Sequence, residues 1–390
     1  MAVMKSLGLY IHIPFCLKKC NYCDFLSLGG MSEEDHAAYT EALLVELEHY
    51  ADRNISLDSV YIGGGTPSLL DPGLISRVVQ RVQSCFTISE EAEITIEANP
   101  GLLDKNKLTT YRGAGINRLS IGAQSLNNEI LKLLGRVHDR EEFVRNFHLA
   151  RECGFENISV DLIFAIPGQT HDIWMDSLEK TIDLGPEHIS FYSLQIEEET
   201  PFYDLWKKGE LKPVDDQGDR AMYHSAIDRL QSSGYRHYEI SNAAKPGYES
   251  RHNLKYWSMD EYLGVGLGAH SYIDGRRFSN ETDLSRYIRI AKEKNCAGRR
   301  QGASPWTIWF HENTVEGEMS EFMFTGLRKV EGIRLSDYEK RFALPVTAVY
   351  GDPINKHIET GLLEIDEKAD RLRLTAKGID LFNRVLVDFV

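Results

Sequence analysis

The chain has 390 residues, with 44 Lys and Arg against 59 Asp and Glu for a formal charge of −15, and 42% hydrophobic against 26% charged residues. That is ordinary globular usage, long enough for two or three domains of about 150 residues each, and it excludes disorder as the main state. An acidic balance repels phosphate backbones and anionic lipid, so nucleic acid is not an expected partner, and no apolar run approaches the ~18 residues of a spanning helix.

The apolar stretch at residues 7–13 lacks a small-residue cleavage site and runs into Pro14 and Cys16, which reads as a strand rather than a signal peptide. From there to residue 193, short β-branched runs alternate with longer helical patterns, the rhythm of an α/β fold. Strands are predicted at 8–13, 59–62, 93–96, 118–121, 157–160 and 188–192. The first intervening helix opens with a capping box of Ser32 and Asp35, and Tyr39, Leu43, Leu47 and Tyr50 then mark its buried face. Six parallel strands with right-handed crossovers form either a doubly wound sheet or a barrel, and periodicity does not choose between them. Either way, their carboxyl ends converge on one pocket. Those ends are Pro14 and Cys16, the run Gly63, Gly64, Gly65, Thr66, Pro67, then Glu97, Gln124 and Asp161.

Residues 201–300 are irregular and aromatic, with Tyr203, Trp206, Tyr223, Tyr235, Tyr238, Tyr256, Trp257 and Tyr262 among glycines and histidines, and read as an accessory layer on the barrel. Beyond 301 the pattern is helix, helix, two short strands around 364–374 turning at Asp366, Glu367 and Lys368, then a helix over 379–390, an order that resembles a winged helix. The chain thus divides at 1–200, 201–300 and 301–390. Glu197, Glu198 and Glu199 read as a solvated face, and Cys85, Cys153 and Cys296 as small core groups. His270 follows the glycine-dense stretch 264–268, a turn that either approaches a ligand or simply closes.

Six cysteines are too few for a disulfide scaffold in a chain this long, which places it in a reducing cytoplasm. Three of them, Cys16, Cys20 and Cys23, fall on one tight loop after the first strand. Three soft thiolates at this spacing favour an iron–sulfur cluster, with zinc completed by Asp24 or His12 as the weaker alternative. In a [4Fe–4S] cube, three cysteines leave one iron open to an outside ligand. Lys18 and Lys19 between the thiols either offset cluster charge or are merely solvated.

Residues 10–23, Tyr-Ile-His-Ile-Pro-Phe-Cys-Leu-Lys-Lys-Cys-Asn-Tyr-Cys, followed by the Gly-Gly-Gly-Thr-Pro run, resemble the radical S-adenosylmethionine (SAM) superfamily. The resemblance is to its branch of oxygen-independent coproporphyrinogen oxidases and HemW-type haem chaperones, and covers nearly the whole chain. It implies a partial (β/α)6 radical SAM barrel with an accessory α+β segment and a helical, winged-helix-like C-terminal domain. It also implies that Cys16, Cys20 and Cys23 hold a [4Fe–4S] cluster whose open iron is chelated by SAM. Tyr10, Tyr22, Gly64, Gly65, Thr66, Glu97, Gln124, Arg136 and Asp161 fall where the branch contacts that cofactor. Chemistry agrees in part: adjacent glycines admit close approach, and carboxylates suit a sulfonium, an ammonium and ribose hydroxyls. For Arg136 a salt bridge is the default reading.

Within the branch, the oxidases carry a fourth cysteine where this chain has Phe25, and a longer segment ahead of the first cysteine than the fifteen residues found here. Both departures weigh against a working coproporphyrinogen oxidase, and whether SAM is cleaved stays open. His252, Asn253, Leu254, Lys255, Tyr256 and Trp257 match the His-Asn-x-x-Tyr-Trp motif of the chaperone group. His252, Asn253, Tyr256 and Trp257 are therefore the haem-binding candidates, set against a reading of His252 as a hydrogen-bonded structural residue and of the rings as packing. The resulting expectation is a protein that carries haem as cargo to acceptors such as respiratory proteins, with peripheral membrane association and homodimerisation left open. The alternatives are radical oxidative decarboxylation of coproporphyrinogen III and a redox-sensing DNA regulator.

Overall fold

The computed structural model describes residues 5–293 and 304–390; Cys296 lies outside the described residues. Six strands, β1 (Lys5–Ile13), β2 (Ile55–Gly64), β3 (Thr87–Ala98), β4 (Arg118–Gln124), β5 (Asn157–Phe164) and β6 (His188–Ser193), each pair in parallel with the one before. An order that never reverses is the winding of a barrel; a doubly wound sheet would reverse at a switch point. All six strands are longer than their apolar runs predict, and β2 and β3 start furthest ahead of them. β2 begins at Ile55 and β3 at Thr87, because polar residues such as Asp58, Glu90 and Glu91 on their less buried positions mask the early part of each.

Helices α1 (Glu33–His49), α2 (Pro72–Cys85), α3 (Lys105–Ala114), α4 (Asn128–Leu134), α5 (Arg140–Glu152) and α6 (His171–Leu184) fill the crossovers. Each is capped as a surface helix should be. Ser32 and Asp35 form the expected box on α1, and Asp71, Asp104, Asn127, Asp139 and Thr170 accept from first-turn amides of the others. Tyr39, Leu43 and Leu47 of α1 are fully buried against the sheet, which with α1, α2, α3, α5 and α6 encloses the main core, while α4 packs in a smaller cluster with Ile163 and Phe202.

The barrel stays open. After α7 (Pro201–Lys207) and α8 (Asp216–Ser232), strands β7 (Arg236–Glu239) and β8 (Asn242–Ala244) extend the β6 edge. After α9 (Arg251–Trp257), strand β9 (Tyr262–Val265) pairs in parallel with β1; β10 (His270–Ile273), β11 (Arg276–Asn280) and β12 (Thr307–Glu312) then run antiparallel outward, with α10 (Leu284–Lys292) between the last two. The sheet order is β12-β11-β10-β9-β1-β2-β3-β4-β5-β6-β8-β7. The aromatic stretch is therefore not a layer laid over the barrel: its strands continue both edges of one sheet, and its tyrosines at 235, 238 and 272 are buried.

A second core, built on Met323, Leu327, Tyr338, Ile354, Leu372 and Phe389, organises the C-terminal region. Helices α11 (Val315–Gly326), α12 (Leu335–Phe342) and α13 (Val346–Glu359) pack on a small sheet of β13 (Ile333–Arg334), β14 (Leu363–Asp366) and β15 (Arg371–Leu374) in the order β13-β15-β14. This is winged-helix order, with one more helix and one more strand than the sequence pattern shows. The single terminal helix expected over 379–390 is instead broken at Leu381 (φ −115°) into Ala376–Asp380 and Phe382–Leu386. Among the described residues no helix is long and apolar enough to cross a membrane.

Candidate cluster and cofactor site

The chain leaves β1 through Pro14 and forms a short parallel pair, Phe15–Cys16 with Leu28–Gly29, that closes a loop at its base. On that loop Cys23 donates its amide to Cys20 (3.3 Å). All three cysteines are free thiols, half-buried, and line one cavity at the carboxyl ends of the strands. Burial pushes the Cys16 and Cys23 thiols up, so as thiolates they require a positive partner in this cavity. Thr66 Oγ1 lies 3.5 Å from Cys16 Sγ, and Arg136 Nη1 donates to Cys20 Sγ at 3.5 Å. The zinc alternative loses its histidine: His12 Nδ1 is bonded to Tyr10 Oη (2.9 Å) and Nε2 to the Leu26 carbonyl (2.9 Å). Among the described residues no three His, Cys, Asp or Glu side chains converge as a single ion requires.

Gly64, Gly65 and Thr66 line the same cavity. The reason for glycine is a crossing of the chain with itself. A Cβ on Gly65 would lie 2.8 Å from the Phe15 carbonyl oxygen, and one on Gly64 2.6 Å from the His12 ring. Gly65 N donates to Ile13 O and Thr66 N to Phe15 O, both at 2.8 Å, which ties the exit of β2 to the segment carrying Cys16. The Gly64 amide is taken by Glu97 Oε2 (3.0 Å).

Glu97 also accepts from Tyr61 Oη (2.8 Å), and its burial, with the Asp161 charge nearby, raises its pKa to about 7. Asp161 is raised too, by burial, although Ser120 donates to both its oxygens at 3.2 Å. Arg136 follows Gly135, which ends α4 in a left-handed turn (φ 77°) and aims the guanidinium inward. Its Nη2 binds Asn99 Oδ1 (2.7 Å) and the Gly122 carbonyl (2.8 Å), and among the described residues it pairs with no carboxylate, so the salt-bridge default is wrong. Gln124 ends β4 at φ 63°, an unusual conformation for a residue with a side chain, and accepts from Tyr192 Oη (3.2 Å). Tyr22 completes this wall.

Sequence reasoning missed Asn99, Ser120, Gly122 and Tyr192, which line the cavity. The available signal was position: Asn99 stands two residues after Glu97, and Ser120, Gly122 and Gln124 share one face of β4. Tyr10 lies elsewhere, in an adjoining chamber lined by Tyr10, His12, Phe25, Tyr256, Tyr262 and His270, which shares Phe25, Gly64 and Glu97 with the cluster cavity.

The His-Asn-x-x-Tyr-Trp motif forms α9, and the structure divides its residues. Only Tyr256 reaches the chamber. His252 is 1% exposed, its Nδ1 bonded to Ser59 Oγ (2.9 Å) and its Nε2 to Tyr256 Oη (2.8 Å). Burial and Lys255 push its pKa down to about 3. With both nitrogens engaged it has none to offer to iron, so the structural reading replaces that of haem ligand. Asn253 lies in the first turn of α9, where its amide donates to the capping Ser250 Oγ (3.4 Å). Trp257 turns to the C-terminal region, where the Arg328 guanidinium lies 4.5 Å from its ring centroid.

The radical SAM superfamily profile matches residues 10–181 and the HemN C-terminal domain profile residues 314–381. The chain is 39% identical over 404 residues to "Heme chaperone HemW" of Escherichia coli, covering all of both chains. It is 36% identical to that of Bacillus subtilis, covering 99% of each, and 34% to that of Lactococcus lactis, covering 100% and 98%. The chain belongs to the HemW family of radical SAM proteins. Its fold matches the solved structure of E. coli coproporphyrinogen III oxidase HemN at TM-score 0.83 and 25% identity, over 99% of this chain and 90% of that one.

The radical SAM superfamily implies a [4Fe–4S] cluster and SAM, and the cavity fits both. Three unpaired thiols face it, the Arg136 guanidinium offsets thiolate charge at Cys20, and Glu97 and Asp161 supply acceptors for a cationic, hydroxyl-bearing ligand. Bound there, the pair supplies one-electron chemistry. In place of the fourth cysteine of the oxidases, this HemW-family chain presents Phe25, 65% exposed, on the wall between the two chambers.

Proposed function

We propose that this protein is a haem carrier of the reducing cytoplasm: it binds haem and passes it to haem-requiring acceptors such as respiratory proteins, with a [4Fe–4S] cluster and SAM resident in the barrel. Cys16, Cys20 and Cys23 hold the cluster; Tyr22, Gly64, Gly65, Thr66, Glu97, Gln124, Arg136 and Asp161 surround the cofactor, with Tyr10 behind them in the adjoining chamber. The observation that carries the proposal is that chamber, whose aromatic wall suits a large flat apolar ring and abuts the cluster cavity. Full-length likeness to proteins named haem chaperones supports it.

A second reading, coproporphyrinogen III oxidation, is favoured by the likeness to HemN. Anaerobic assay of the cluster-loaded protein separates the two. Haem retained at one per chain and handed to an apo-acceptor supports the carrier; stoichiometric release of carbon dioxide from coproporphyrinogen III overturns it. The DNA-regulator alternative finds little support in α13, which sets Asp352 and Glu359 beside Lys356, and retention on DNA at low salt would be needed to revive it.

A further inference from the structure

Three histidines line or border the aromatic chamber, and they differ in one respect. His12 and His252 have both ring nitrogens in hydrogen bonds. His270, the first residue of β10, is exposed, and among the described residues no hydrogen bond engages either nitrogen. The partial desolvation of its ring on the chamber side, with the Arg277 charge, lowers its pKa, so at neutral pH it carries a lone pair.

The position is rigidly built. The turn before His270 passes through Gly266 (φ 100°) and Gly268 (φ 65°). A Cβ on Gly266 would lie 2.6 Å from the His12 carbonyl oxygen, and one on Gly268 would collide with Leu26, just past the cysteine loop. The backbone that carries the imidazole is thus fixed relative to the segment that carries Cys16, Cys20 and Cys23.

Flat aromatic surface borders it on both sides. His270 faces Ser279, which faces Trp309, and the His270 and Trp309 rings lie 6.4 Å apart. Trp309 is 47% exposed and stacks on His311 at 6.0 Å and 14°. Across the chamber stand exposed Phe25 and the edge-to-face pair Tyr256 and Tyr262, 4.6 Å apart. Lys18 and Lys19, on the same loop as Phe25, are exposed and make no ion pair among the described residues, two adjacent cations on a chain of net charge −15. An unengaged imidazole beside exposed rings, with paired cations lining the adjoining cluster cavity across the shared Phe25, is the complement of a planar metallomacrocycle with two carboxylate arms, which Asp24 on the chamber wall turns toward those cations.

We propose that His270 is the axial iron ligand of the carried haem, with the macrocycle between Phe25 and Trp309 and its propionates directed to Lys18 and Lys19. The assignment rests on the haem-carrier reading. A ligand at an exposed rim, rather than in a sealed pocket, holds haem by one exchangeable bond, as a donor to other proteins requires.

The test is haem titration of cluster-loaded protein under anaerobic conditions, read by Soret absorption and by resonance Raman of the iron–histidine stretch, for the unsubstituted chain, His270→Ala and His252→Ala. His270 is exposed and its side chain makes no hydrogen bond among the described residues, so its replacement leaves cluster absorbance and circular dichroism unchanged. The expected result is loss of the iron–histidine signature and about tenfold or weaker haem binding in His270→Ala, restored by added imidazole, with the signature kept in His252→Ala. Lys18→Glu with Lys19→Glu weakens binding while keeping the signature. An unchanged spectrum and affinity in His270→Ala overturns the ligand assignment and leaves the carrier reading standing; no haem binding by the unsubstituted chain overturns the carrier reading itself.

Discussion

Gly65→Ala tests whether the cluster site is built by the crossing of two strand exits. The new Cβ would meet the Phe15 carbonyl oxygen at 2.8 Å, the Pro14 carbonyl carbon at 2.9 Å and the Pro14 oxygen at 3.0 Å, all backbone atoms. Restoring ordinary contact requires the two exits to part by about 0.6 Å, against the hydrogen bonds from Gly65 and Thr66 that hold them together. Such overpacking costs about 1–3 kcal/mol. What yields is the Phe15–Cys16 segment, which moves Cys16 away from Cys20 and Cys23. The expected result is a folded protein, somewhat less stable, that retains far less iron and sulfide per chain after anaerobic reconstitution. Gly113→Ala is the control: it lies within α3 with nothing within 4 Å of its Cβ, and gains up to about 1 kcal/mol from helix propensity. Unchanged iron and sulfide content with unchanged melting temperature in Gly65→Ala would refute the reasoning.

Glu46, fully buried on α1, accepts from Gly266 N, Asn280 Nδ2 and Tyr287 Oη, and burial raises its pKa from 4.5 to about 7. The folded state holds this proton more tightly than the unfolded chain, so stability is greatest below about pH 4.5 on this account and falls by about 3 kcal/mol as pH rises to 7; urea titrations of Glu46→Gln against the parent should show that part of the slope removed. His252→Ala leaves Ser59 Oγ and Tyr256 Oη without their partner and should cost about 2–4 kcal/mol in chemical denaturation. Arg136→Lys keeps the charge but loses the fork that spans Asn99, Gly122 and Cys20; calorimetry should show SAM binding about tenfold weaker with the cluster spectrum retained.

The sheet and the cluster loop were legible because each rests on a local pattern. β-branched runs fix the strands, and three cysteines on one loop need no tertiary knowledge to be read as a site. Glu97, Gln124 and Asp161 were legible at one remove, since parallel topology sends every strand's carboxyl end to the same place. Asn99, Ser120, Gly122 and Tyr192 were not, because their residue types are common at strand ends and only the cavity singles them out. Arg136 misled in the other direction: a surface-like Gly-Arg pair after a helix reads as an ion pair, and only the left-handed turn at Gly135 shows the guanidinium directed inward. The sheet edges failed for a similar reason. An aromatic-rich segment with short strands has no clear period, and its attachment to both ends of one sheet is decided by pairing partners about 250 residues away in β1, and about fifty in β6.

The His-Asn-x-x-Tyr-Trp motif then has an architectural sense that ligation would not give it. α9 lies on the sheet at Gly8, where a Cβ would meet Lys255 Cδ at 2.9 Å and the His252 ring at 3.4 Å. His252 is pinned to β2 through Ser59, and Lys255 to Asp58 (2.7 Å). From that fixed base one turn of helix sends Tyr256 into the aromatic chamber and the next residue, Trp257, against Arg328 just past the end of α11. The motif therefore couples three things that a carrier must keep in register: the barrel floor, the wall of the chamber and the domain above it. A histidine that ligated iron would have to release Ser59 or Tyr256 first, and in doing so would loosen the wall it is meant to hold. Separating the two duties, a buried histidine to position and an exposed one to bind, removes that conflict.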